Sequence, residues 1–454
     1  MKTRKIHPYI LIILTFIGVI LIGTALLALP ISSTNNQSFG LIDSLFMATS
    51  CVCVTGLSVM ENSIAADMTY FGKAVMVVLM EVGGLSFITI AIFFFTIIGG
   101  KIGFSNKFML REALNQNTAN GLLALVKKIV ITSFMIQIIA TLINWYPLIE
   151  YCDTIYGASD SNIWKALIMS VYHSAAAFNN AGFDIFGSNS MENFASNANV
   201  ISQSSMLIIN TTTILLIVLG GIGFIIIDDI LKNKKWKKLS LHSKITLIAT
   251  FILIFGGALL FKLTSNMGYL EALFSSVTAR TAGFATYNMT NLKDYPVAYF
   301  IMIILMIIGA SPCSTGGGIK STTFAVVVLA IVHFAMGKKT KVFERRLMHD
   351  QIFKAFVLIS IATGIVLLGT MVILATQPEL GIDCVLFEVS SAFSTTGLSM
   401  GITTSLSSFN RIVVCVLMLF GRLGPLTIIG VVNKNWLAGE NERIQYIEES
   451  VIIG

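Results

Sequence analysis

The residues LFMATSCVCVTGL at positions 45–57 decide how this chain is built. The stretch is apolar, ends in Thr55-Gly56-Leu57, and has a much longer apolar segment on each side. Ten or so apolar residues are too few to cross a bilayer, which takes roughly 20 helical residues. A short helix should therefore enter the membrane here and turn back. Non-helical backbone is tolerated at that depth only where protein buries it or where it lines a water-filled cavity. We interpret the stretch as one wall of an ion pathway.

The same pattern occurs at four places in the chain. Aligned on their final glycine, residues 171–182 (VYHSAAAFNNAG), 272–283 (ALFSSVTARTAG) and 386–397 (LFEVSSAFSTTG) match residues 45–56 without a gap. A bulky apolar residue follows each glycine. A single glycine of this kind is more often an ordinary turn or a close helix crossing. Four in register instead predict four structural repeats with a shared function.

The composition is that of a polytopic membrane protein. The chain has 454 residues, of which 55% are apolar and 12% charged, and its mean hydropathy is +0.83, far above that of soluble globular proteins. The net charge of +7 comes with basic residues in short loops between spans, so membrane orientation explains it better than nucleic-acid binding. The six cysteines show no regular disulfide spacing, and Cys51 and Cys53 form a C-x-C, which disfavours a zinc site.

The apolar segments predict eight membrane spans and four short re-entrant helices. Lys and Arg concentrate in the termini and in residues 99–128, 231–244 and 337–354, whereas acidic residues concentrate in the alternate loops. Because cytoplasmic loops carry the excess of Lys and Arg, both termini are predicted to be cytoplasmic. The first apolar segment is too long for a signal peptide and is interpreted as an uncleaved span. The predicted spans are residues 9–29, 74–98, 129–148, 205–227, 245–261, 299–334, 355–376 and 412–432.

The predicted fold is an all-α membrane protein with four pseudo-symmetric helix–pore loop–helix repeats around one pore. The first repeat is predicted at residues 1–100 and the second at residues 101–230. The third covers residues 231–337, the fourth residues 338–434, and residues 435–454 form a cytoplasmic tail.

The glycine stretches suit an ion filter built from backbone carbonyls. A monovalent cation that crosses the bilayer must exchange its water shell for protein oxygens, and rings of carbonyls supply them without a fixed charge. Glycine reaches the extended or left-handed backbone that such carbonyls require. The short helices would aim their partially negative C-terminal ends at the cavity below this ring. The predicted filter for a monovalent cation comprises Val54, Thr55, Gly56, Asn180, Ala181, Gly182, Thr281, Ala282, Gly283, Thr395, Thr396 and Gly397.

The segment at residues 299–334 is too long for one span and is interrupted by SPCSTGGG at residues 311–318, which no continuous helix tolerates cheaply. We interpret the interruption as a flexible gating loop across the conduction path beneath the filter. It is not a Walker A phosphate-binding loop, because Ile319 separates Gly318 from Lys320. The predicted gating loop consists of Ser311, Pro312, Cys313, Ser314, Thr315, Gly316, Gly317, Gly318 and Lys320.

Ionisable residues at membrane depth are costly and usually face a bundle interior or a cavity. Arg422 is predicted either to hydrogen-bond carbonyls of the broken loop or to pair with Glu81, so both are candidates for loop coupling. Glu388 and Glu271, on short helices, either raise the cation concentration at the outer mouth or make plain structural hydrogen bonds. His173 is expected to be a packed histidine rather than a metal ligand.

The motifs VTGL at residue 54, FNNAGF at 178, TARTAGF at 278, STGGGIK at 314, SAFSTTGL at 391 and GRLGPLT at 421 resemble the Trk/Ktr/HKT superfamily of potassium transporters, and within it the membrane subunits of bacterial Ktr systems. The resemblance covers essentially the whole chain. In this family, glycine at the first filter position goes with potassium selectivity, and this chain has Gly56 there. The chain departs from the family at Cys313, where the family loop often has glycine.

The resemblance implies sodium-stimulated potassium uptake across a bacterial plasma membrane. It implies a homodimer in which each protomer has its own pore, docked on a cytosolic ring of RCK-type (KtrA-like) regulatory subunits. Nucleotide is expected on those partners only, and this chain is expected to hold no cofactor and no transition metal.

Two other classes were compared with the ion-uptake interpretation. A solute-coupled secondary transporter ought to show discontinuous helices in paired repeats, whereas only one returning segment here is grossly broken. An intramembrane enzyme needs a nucleophile with a base, or a metal cluster. The sequence shows neither constellation, so we expect that the protein is not an enzyme.

Overall fold

The computed structural model describes residues 8–85, 89, 122–186, 190–194 and 201–424. Most of the predicted linker 99–128, the ends of the predicted spans 74–98 and 412–432, and the predicted tail 435–454 lie outside this part. The described helices, numbered here in chain order, are α1 (Pro8–Leu27), α2 (Leu41–Cys53), α3 (Ile64–Asp67), α4 (Tyr70–Leu85), α5 (Leu122–Tyr156), α6 (Ser161–Phe178), α7 (Gln203–Ile222), α8 (Phe224–Asn233), α9 (Leu241–Thr264), α10 (Tyr269–Thr278), α11 (Pro296–Ile307), α12 (Ser321–Ala335), α13 (His349–Thr376), α14 (Ile382–Ser394) and α15 (Ser408–Leu423).

Five described helices are long and apolar enough to cross a membrane, and they coincide with five of the predicted spans. They are Ile10–Leu27, Ala124–Tyr156, Gln203–Ile222, Leu241–Thr264 and His349–Thr376. Helix α5 continues past Pro147, close to the predicted end of its span, as far as Tyr156. The extension has a structural use, because the carboxylate of Glu150 accepts hydrogen bonds from the backbone N–H and hydroxyl of Ser202, at 2.5 and 2.9 Å, at the start of α7.

The long segment predicted at residues 299–334 consists of two helices, α11 and α12, separated by non-helical residues 308–320. The break is longer at both ends than the predicted loop at residues 311–318. Its ends are joined, because Ile308 and Ile319 form a parallel bridge in which the N–H of Ile319 donates to Ile307 O at 3.2 Å. This non-local pairing explains why the helix stops before the Ser-Pro pair.

Each predicted filter stretch follows the C-terminus of a shorter helix, namely α2, α6, α10 or α14. The C-terminal halves of these helices are buried. Each helix contributes a fully buried phenylalanine to the core, namely Phe46, Phe178, Phe274 and Phe387. Burial of large aromatic side chains stabilises these helix ends against the surrounding longer helices.

The four short helices are arranged in a ring, and longer helices pack between them. Helix α4 packs on both α2 and α6, α7 packs on α10, and α11 packs on α14. The ring closes where α15, the last described helix, packs on α2. There Arg411 forms an ion pair with Asp43 in the first turn of α2, and donates a second hydrogen bond to Thr404 O at 2.8 Å.

The basic linker between α12 and α13 contains a two-stranded hairpin, which is the one sheet among the described residues. Strands β1 (Lys341–Val342) and β2 (Arg345–Arg346) pair Lys341 with Arg346. The two turn residues, Phe343 and Glu344, have φ angles of +45° and +64°. Positive φ at both central residues matches the twist of a tight hairpin.

Candidate ion-conduction site

The four predicted filter stretches share one unusual backbone conformation. The final glycine of each stretch has a positive φ, and so does the residue two positions before it. Positive φ is uncommon for residues with a side chain and a clear outlier for β-branched ones. The φ angles are +58° at Val54, +58° at Asn180, +102° at Thr281 and +52° at Thr395, followed by +98° at Gly56, +67° at Gly182, +83° at Gly283 and +92° at Gly397.

The four glycines lie against one another in a ring. A Cβ atom added to Gly56 would come within 2.5 Å of the carbonyl oxygen of Ala181, and one on Gly182 within 2.5 Å of that of Ala282. The series continues from Gly283 to the carbonyl of Thr396 and from Gly397 back to the carbonyl of Thr55. No side chain fits at any of the four positions. The structure therefore brings all twelve predicted filter residues to one place, where main-chain atoms of the four stretches meet.

Two serines that the motif analysis did not single out hold the first and fourth stretches. The hydroxyl of Ser50 accepts from the N–H of Gly56 at 3.2 Å, while its carbonyl accepts from Thr55 at 2.8 Å. In the fourth stretch, the hydroxyl of Ser391 accepts from the N–H of Gly397 at 3.0 Å. The two serines occupy the same position in the aligned stretches, which was the available sequence signal.

A vestibule with a volume of about 310 Å³ opens onto the ring. All four glycines line it, and so do the carboxylate residues Asp184 and Glu192. Carboxylates at the mouth of a narrow site raise the local cation concentration. The vestibule thus carries two carboxylate side chains and is bounded by the ring of backbone atoms.

The predicted gating loop lies directly against the filter stretches. The N–H of Gly317 donates to the hydroxyl of Thr395 at 3.1 Å, and a Cβ on Gly316 would collide with the hydroxyl of Thr281. The hydroxyl of Thr315 donates to the carbonyl of Phe178, the last residue of α6, at 3.3 Å. The loop therefore contacts three of the four short-helix units.

A second set of hydrogen bonds fastens the loop to helices α7 and α8. Ser311 and Thr315 donate their N–H groups to the carbonyls of Gly221 and Gly220, at 3.0 and 3.2 Å. Cys313, whose φ is +56°, accepts from the N–H of Phe224 at 3.0 Å. Lys320 folds back on the loop and donates to the carbonyl of Gly316 at 2.7 Å.

Arg422 contacts backbone carbonyls and not Glu81. Its guanidinium donates to the carbonyls of Thr315 in the loop and of Gly83 and Gly84 in α4, the last at 3.1 Å. Of the two predicted alternatives, the structure therefore has the carbonyl arrangement. The expected role of Glu81 in coupling to the loop is not what its contacts show.

Glu81 is buried and accepts from the side-chain amide of Asn179 at 2.9 Å. Asn179 directly precedes the second filter stretch, so this carboxylate holds the base of the filter instead of the loop. Gly83 and Gly84 allow α4 to approach its neighbours closely, because a Cβ on Gly83 would collide with the carbonyl of Val52 and one on Gly84 with the side-chain amide of Asn179. The carbonyls of these two glycines accept the hydrogen bonds from Arg422, while the carboxylate of Glu81 is engaged by Asn179.

The remaining candidates make structural hydrogen bonds. Glu388 is fully buried and accepts from the hydroxyls of Ser399, at 2.7 Å, and Thr403. Glu271 accepts from the backbone N–H of Gly268 at 2.7 Å.

His173 is packed between aromatic rings. Its centroid lies 5.2 Å from those of both Phe186 and Phe284, and its Nε2 is 2.8 Å from the hydroxyl of Thr213.

Comparison with known proteins shows the family. The TrkH family model, described as a cation transport protein, matches residues 2–267 and 238–435. The Ktr system potassium uptake protein B of Bacillus subtilis is 34% identical over 468 residues, which cover 100% of this chain and 98% of that protein. The potassium/sodium uptake protein NtpJ of Enterococcus hirae is 34% identical over 467 residues, covering 99% of this chain and 98% of that one.

The fold is also that of a solved structure. The crystal structure of the potassium transporter TrkH from Vibrio parahaemolyticus matches with a TM-score of 0.70 over 96% of this chain and 87% of that one, at 17% identity. At this identity the match supports the helical architecture alone. Together with the full-length relatives, it confirms the resemblance predicted from the motifs, and the chain belongs to the Ktr/TrkH family of cation transport proteins, which are membrane ion transporters and not enzymes.

Proposed function

We propose that this chain takes up potassium ions across a bacterial plasma membrane through a filter of backbone carbonyls. The observation that carries the proposal is the ring of Gly56, Gly182, Gly283 and Gly397 at the floor of an acidic vestibule. The names of the relatives in Bacillus subtilis and Enterococcus hirae, both potassium uptake proteins, agree with this cargo.

The chemistry follows from the absence of side chains in the ring. Each glycine lies against the carbonyl oxygen of the residue that precedes the glycine of a neighbouring stretch. Carbonyl oxygens replace the water shell of a dehydrated alkali ion while adding no net charge that would trap it. The short helices end at these stretches, so the partial negative charge of each helix C-terminus adds to the attraction for a cation.

The membrane arrangement proposed here has eight spans and four re-entrant helices, in repeats at residues 1–100, 101–230, 231–337 and 338–434, with both termini cytoplasmic. Support comes from the five long apolar helices and from the four shorter helices that precede the filter stretches. The pair α11 and α12, with its central break, counts as one span in this arrangement.

The loop at residues 308–320 is proposed as the gate. Its support is its contact with Thr395, Thr281 and the end of α6, together with the guanidinium of Arg422 on the carbonyl of Thr315. The buried apolar residues of this loop, Ile308, Ala310 and Ile319, lie near its ends. The glycine-rich residues 311–318 between them are held by hydrogen bonds and have few apolar contacts to lose on moving.

The partners proposed are a second copy of this chain and a cytosolic ring of RCK-type subunits that bind the regulatory nucleotide. The support is the match to a Ktr system protein, since a system implies a further subunit. Sodium stimulation is part of the same proposal, because one full-length relative is a potassium/sodium uptake protein.

The substitution Gly56→Ser tests the filter. A serine Cβ would meet the carbonyl oxygen of Ala181 at 2.5 Å and the backbone of Gly182, so the ring must widen or shift. We expect the sodium flux to rise relative to the potassium flux, measured with purified protein in liposomes.

Gly364→Ser is the matched control for this experiment, since no atom lies within 4 Å of a Cβ at that helical glycine. It should keep the wild-type flux ratio. A folded Gly56→Ser protein with an unchanged sodium-to-potassium ratio would contradict the filter assignment.

A further inference from the structure

A second cavity lies apart from the vestibule, between α7 and the start of α10. Its volume is about 70 Å³, and its lining includes Asn210, Glu271, Phe274 and Thr286. A cavity of about 10–15 Å³ is enough for one water molecule, so this space is large enough for an ion with coordinating waters.

Two buried oxygens that line this cavity have no hydrogen-bond partner among the described residues. They are Oδ1 of Asn210 and Oγ1 of Thr286, on side chains that are 1% and 3% exposed. The amide nitrogen of Asn210 donates to the carbonyl of Phe194 at 2.8 Å, which fixes the amide orientation and leaves its oxygen as the free acceptor. Buried polar atoms are nearly always paired, so these two call for a ligand.

The third oxygen donor is a carboxylate. Glu271 uses Oε2 to accept from the N–H of Gly268 at 2.7 Å, which leaves Oε1 for a ligand. No Lys, Arg or His in the described ranges forms an ion pair with it. Lys262, the nearby cation, instead donates to the carbonyl of Met267 at 2.8 Å and lies over the ring of Tyr269 at 4.6 Å.

We propose that this cavity binds one sodium ion. An amide oxygen, a hydroxyl and a carboxylate are the kinds of ligand that a hard cation prefers, and this set of ligands excludes a soft metal. The single carboxylate matches one positive charge and would leave a divalent ion uncompensated. Three protein oxygens with one or two waters suit the smaller alkali ion, whereas potassium is held by rings of many carbonyls.

The position of the cavity gives the ion a structural role. Glu271 lies in the first turn of α10, and Thr286 follows the third filter stretch, which begins where α10 ends. The neighbours of Thr286, Ala285 and Tyr287, both line the vestibule. An ion held by Glu271, Thr286 and Asn210 therefore connects both ends of the third pore-loop unit to α7. The site is separate from the filter, and its occupancy does not depend on the filter proposal.

The test is thermal unfolding of the purified full-length protein in NaCl, KCl or choline chloride at equal ionic strength. Ligand that binds only the folded state raises the unfolding midpoint. We expect a saturable sodium-specific rise in the wild-type protein. In Thr286→Val and Glu271→Gln, we expect the sodium concentration for the half-maximal rise to increase at least about tenfold, which is about 1.4 kcal/mol in binding free energy. Glu271→Gln keeps an oxygen that can accept from Gly268 and removes only the charge.

Thr250→Val is the matched control. Its hydroxyl is also buried and has no partner in the part of the chain that the structure describes, but it lines a different cavity, beside Arg280. It should leave the sodium response unchanged. The potassium response reports on the filter, so Gly56→Ser should alter that response while leaving the sodium response in place.

Three results would overturn the sodium site. In the first, sodium and choline give the same midpoint for the wild-type protein. In the second, Thr286→Val and Glu271→Gln retain the wild-type sodium response, which would mean that the cavity holds water only. In the third, potassium raises the unfolding midpoint as much as sodium does, and Thr286→Val and Glu271→Gln abolish the effect of potassium as well. That result would mean that the site does not select sodium.

Discussion

Val54, Thr281 and Thr395 are β-branched residues in left-handed backbone, and such residues persist in that region only where their surroundings fix them. Here the conformation is held by hydrogen bonds to the ends of the short helices and by contact with the neighbouring stretch. Strained backbone of this kind concentrates at functional sites. The strained residues therefore coincide with the glycine ring that we propose as the ion site, and they require the hydrogen bonds that support them.

Ser50→Ala and Ser391→Ala test that support at the scale of one residue. Each change removes a hydrogen bond to a filter glycine, at 3.2 Å for Gly56 and 3.0 Å for Gly397. We expect a loss of about 1 kcal/mol of stability per hydrogen bond and a lower potassium-to-sodium flux ratio. Unfolding midpoints and liposome fluxes measure the two effects.

Ser44→Ala is the control for both serines. Ser44 is buried in the same helix as Ser50, yet its hydroxyl has no hydrogen-bond partner among the described residues. Its replacement should leave the flux ratio unchanged. If Ser50→Ala behaves like Ser44→Ala in both measurements, the serine does not support the filter.

The four stretches that meet in the glycine ring were predictable from the sequence because the repeated glycine is a local signal. The hydrogen-bond partners of Arg422 were not predictable in this way. Its contacts with Gly83 and Gly84 join residues more than three hundred positions apart, and two acceptor sets were equally consistent with the residue types. The unpaired oxygens of Asn210 and Thr286 were likewise invisible, since no motif includes either residue.

At the scale of elements, the loop at residues 308–320 divides one membrane segment into α11 and α12. Proline and three glycines made the interruption predictable. Its length depends on the bridge between Ile308 and Ile319 and on donors aimed at α7, which are tertiary contacts. The sequence therefore located the break but not its ends.

Deletion of residues 313–317 should raise potassium flux and weaken its dependence on the cytosolic partner. The deletion removes the hydrogen bond from Gly317 to Thr395 and the contacts of Thr315 with Phe178 and Arg422. Flux into liposomes with and without the partner measures both effects. Cys313→Gly keeps the loop length and suits a φ of +56°, so its flux should stay at the wild-type level. A deletion variant with low, partner-dependent flux would show that the loop only packs.

Arg422→Lys should raise flux several-fold, by less than the deletion does. Arginine offers a planar fork of donors that reaches the loop and α4 together, whereas lysine is a single point donor. The same liposome assay makes the comparison. Glu81→Gln is the comparison variant, because Glu81 contacts Asn179 and not the loop. This substitution should change ion selectivity more than basal flux. Equal effects of the two substitutions on basal flux would contradict the separate roles.

At the scale of the whole molecule, four units that are similar in sequence close into a ring beside the vestibule. Among the described residues that line the vestibule, the two carboxylates are Asp184 and Glu192, both in the second unit. The field of these charges acts on ions before any dehydration takes place.

Asp184→Asn and Glu192→Gln should each lower the apparent potassium affinity of uptake by a few-fold at low ionic strength. The effect should shrink in 0.15 M salt, where the Debye length is about 8 Å. Glu344→Gln, on the hairpin between α12 and α13, is a carboxylate control outside the vestibule. A loss of affinity that is the same at both ionic strengths would argue against attraction by the entrance charges.

The number of units was predictable from the repeated motif, whereas their neighbours around the ring were not. Nothing in residues 41–53 or 408–423 indicates that these helices pack together, because the signal is complementarity between distant surfaces. Arg411 and Asp43 carry opposite charges, but so do many pairs that never meet.

The contact between α15 and α2 also has a consequence for truncated forms of the chain. These helices lie near opposite ends of the sequence, and α15 packs on both α14 and α2, with Arg411 paired to Asp43. A chain that ended before residue 408 would retain all four glycine stretches and lose the helix that joins the fourth short-helix unit to the first.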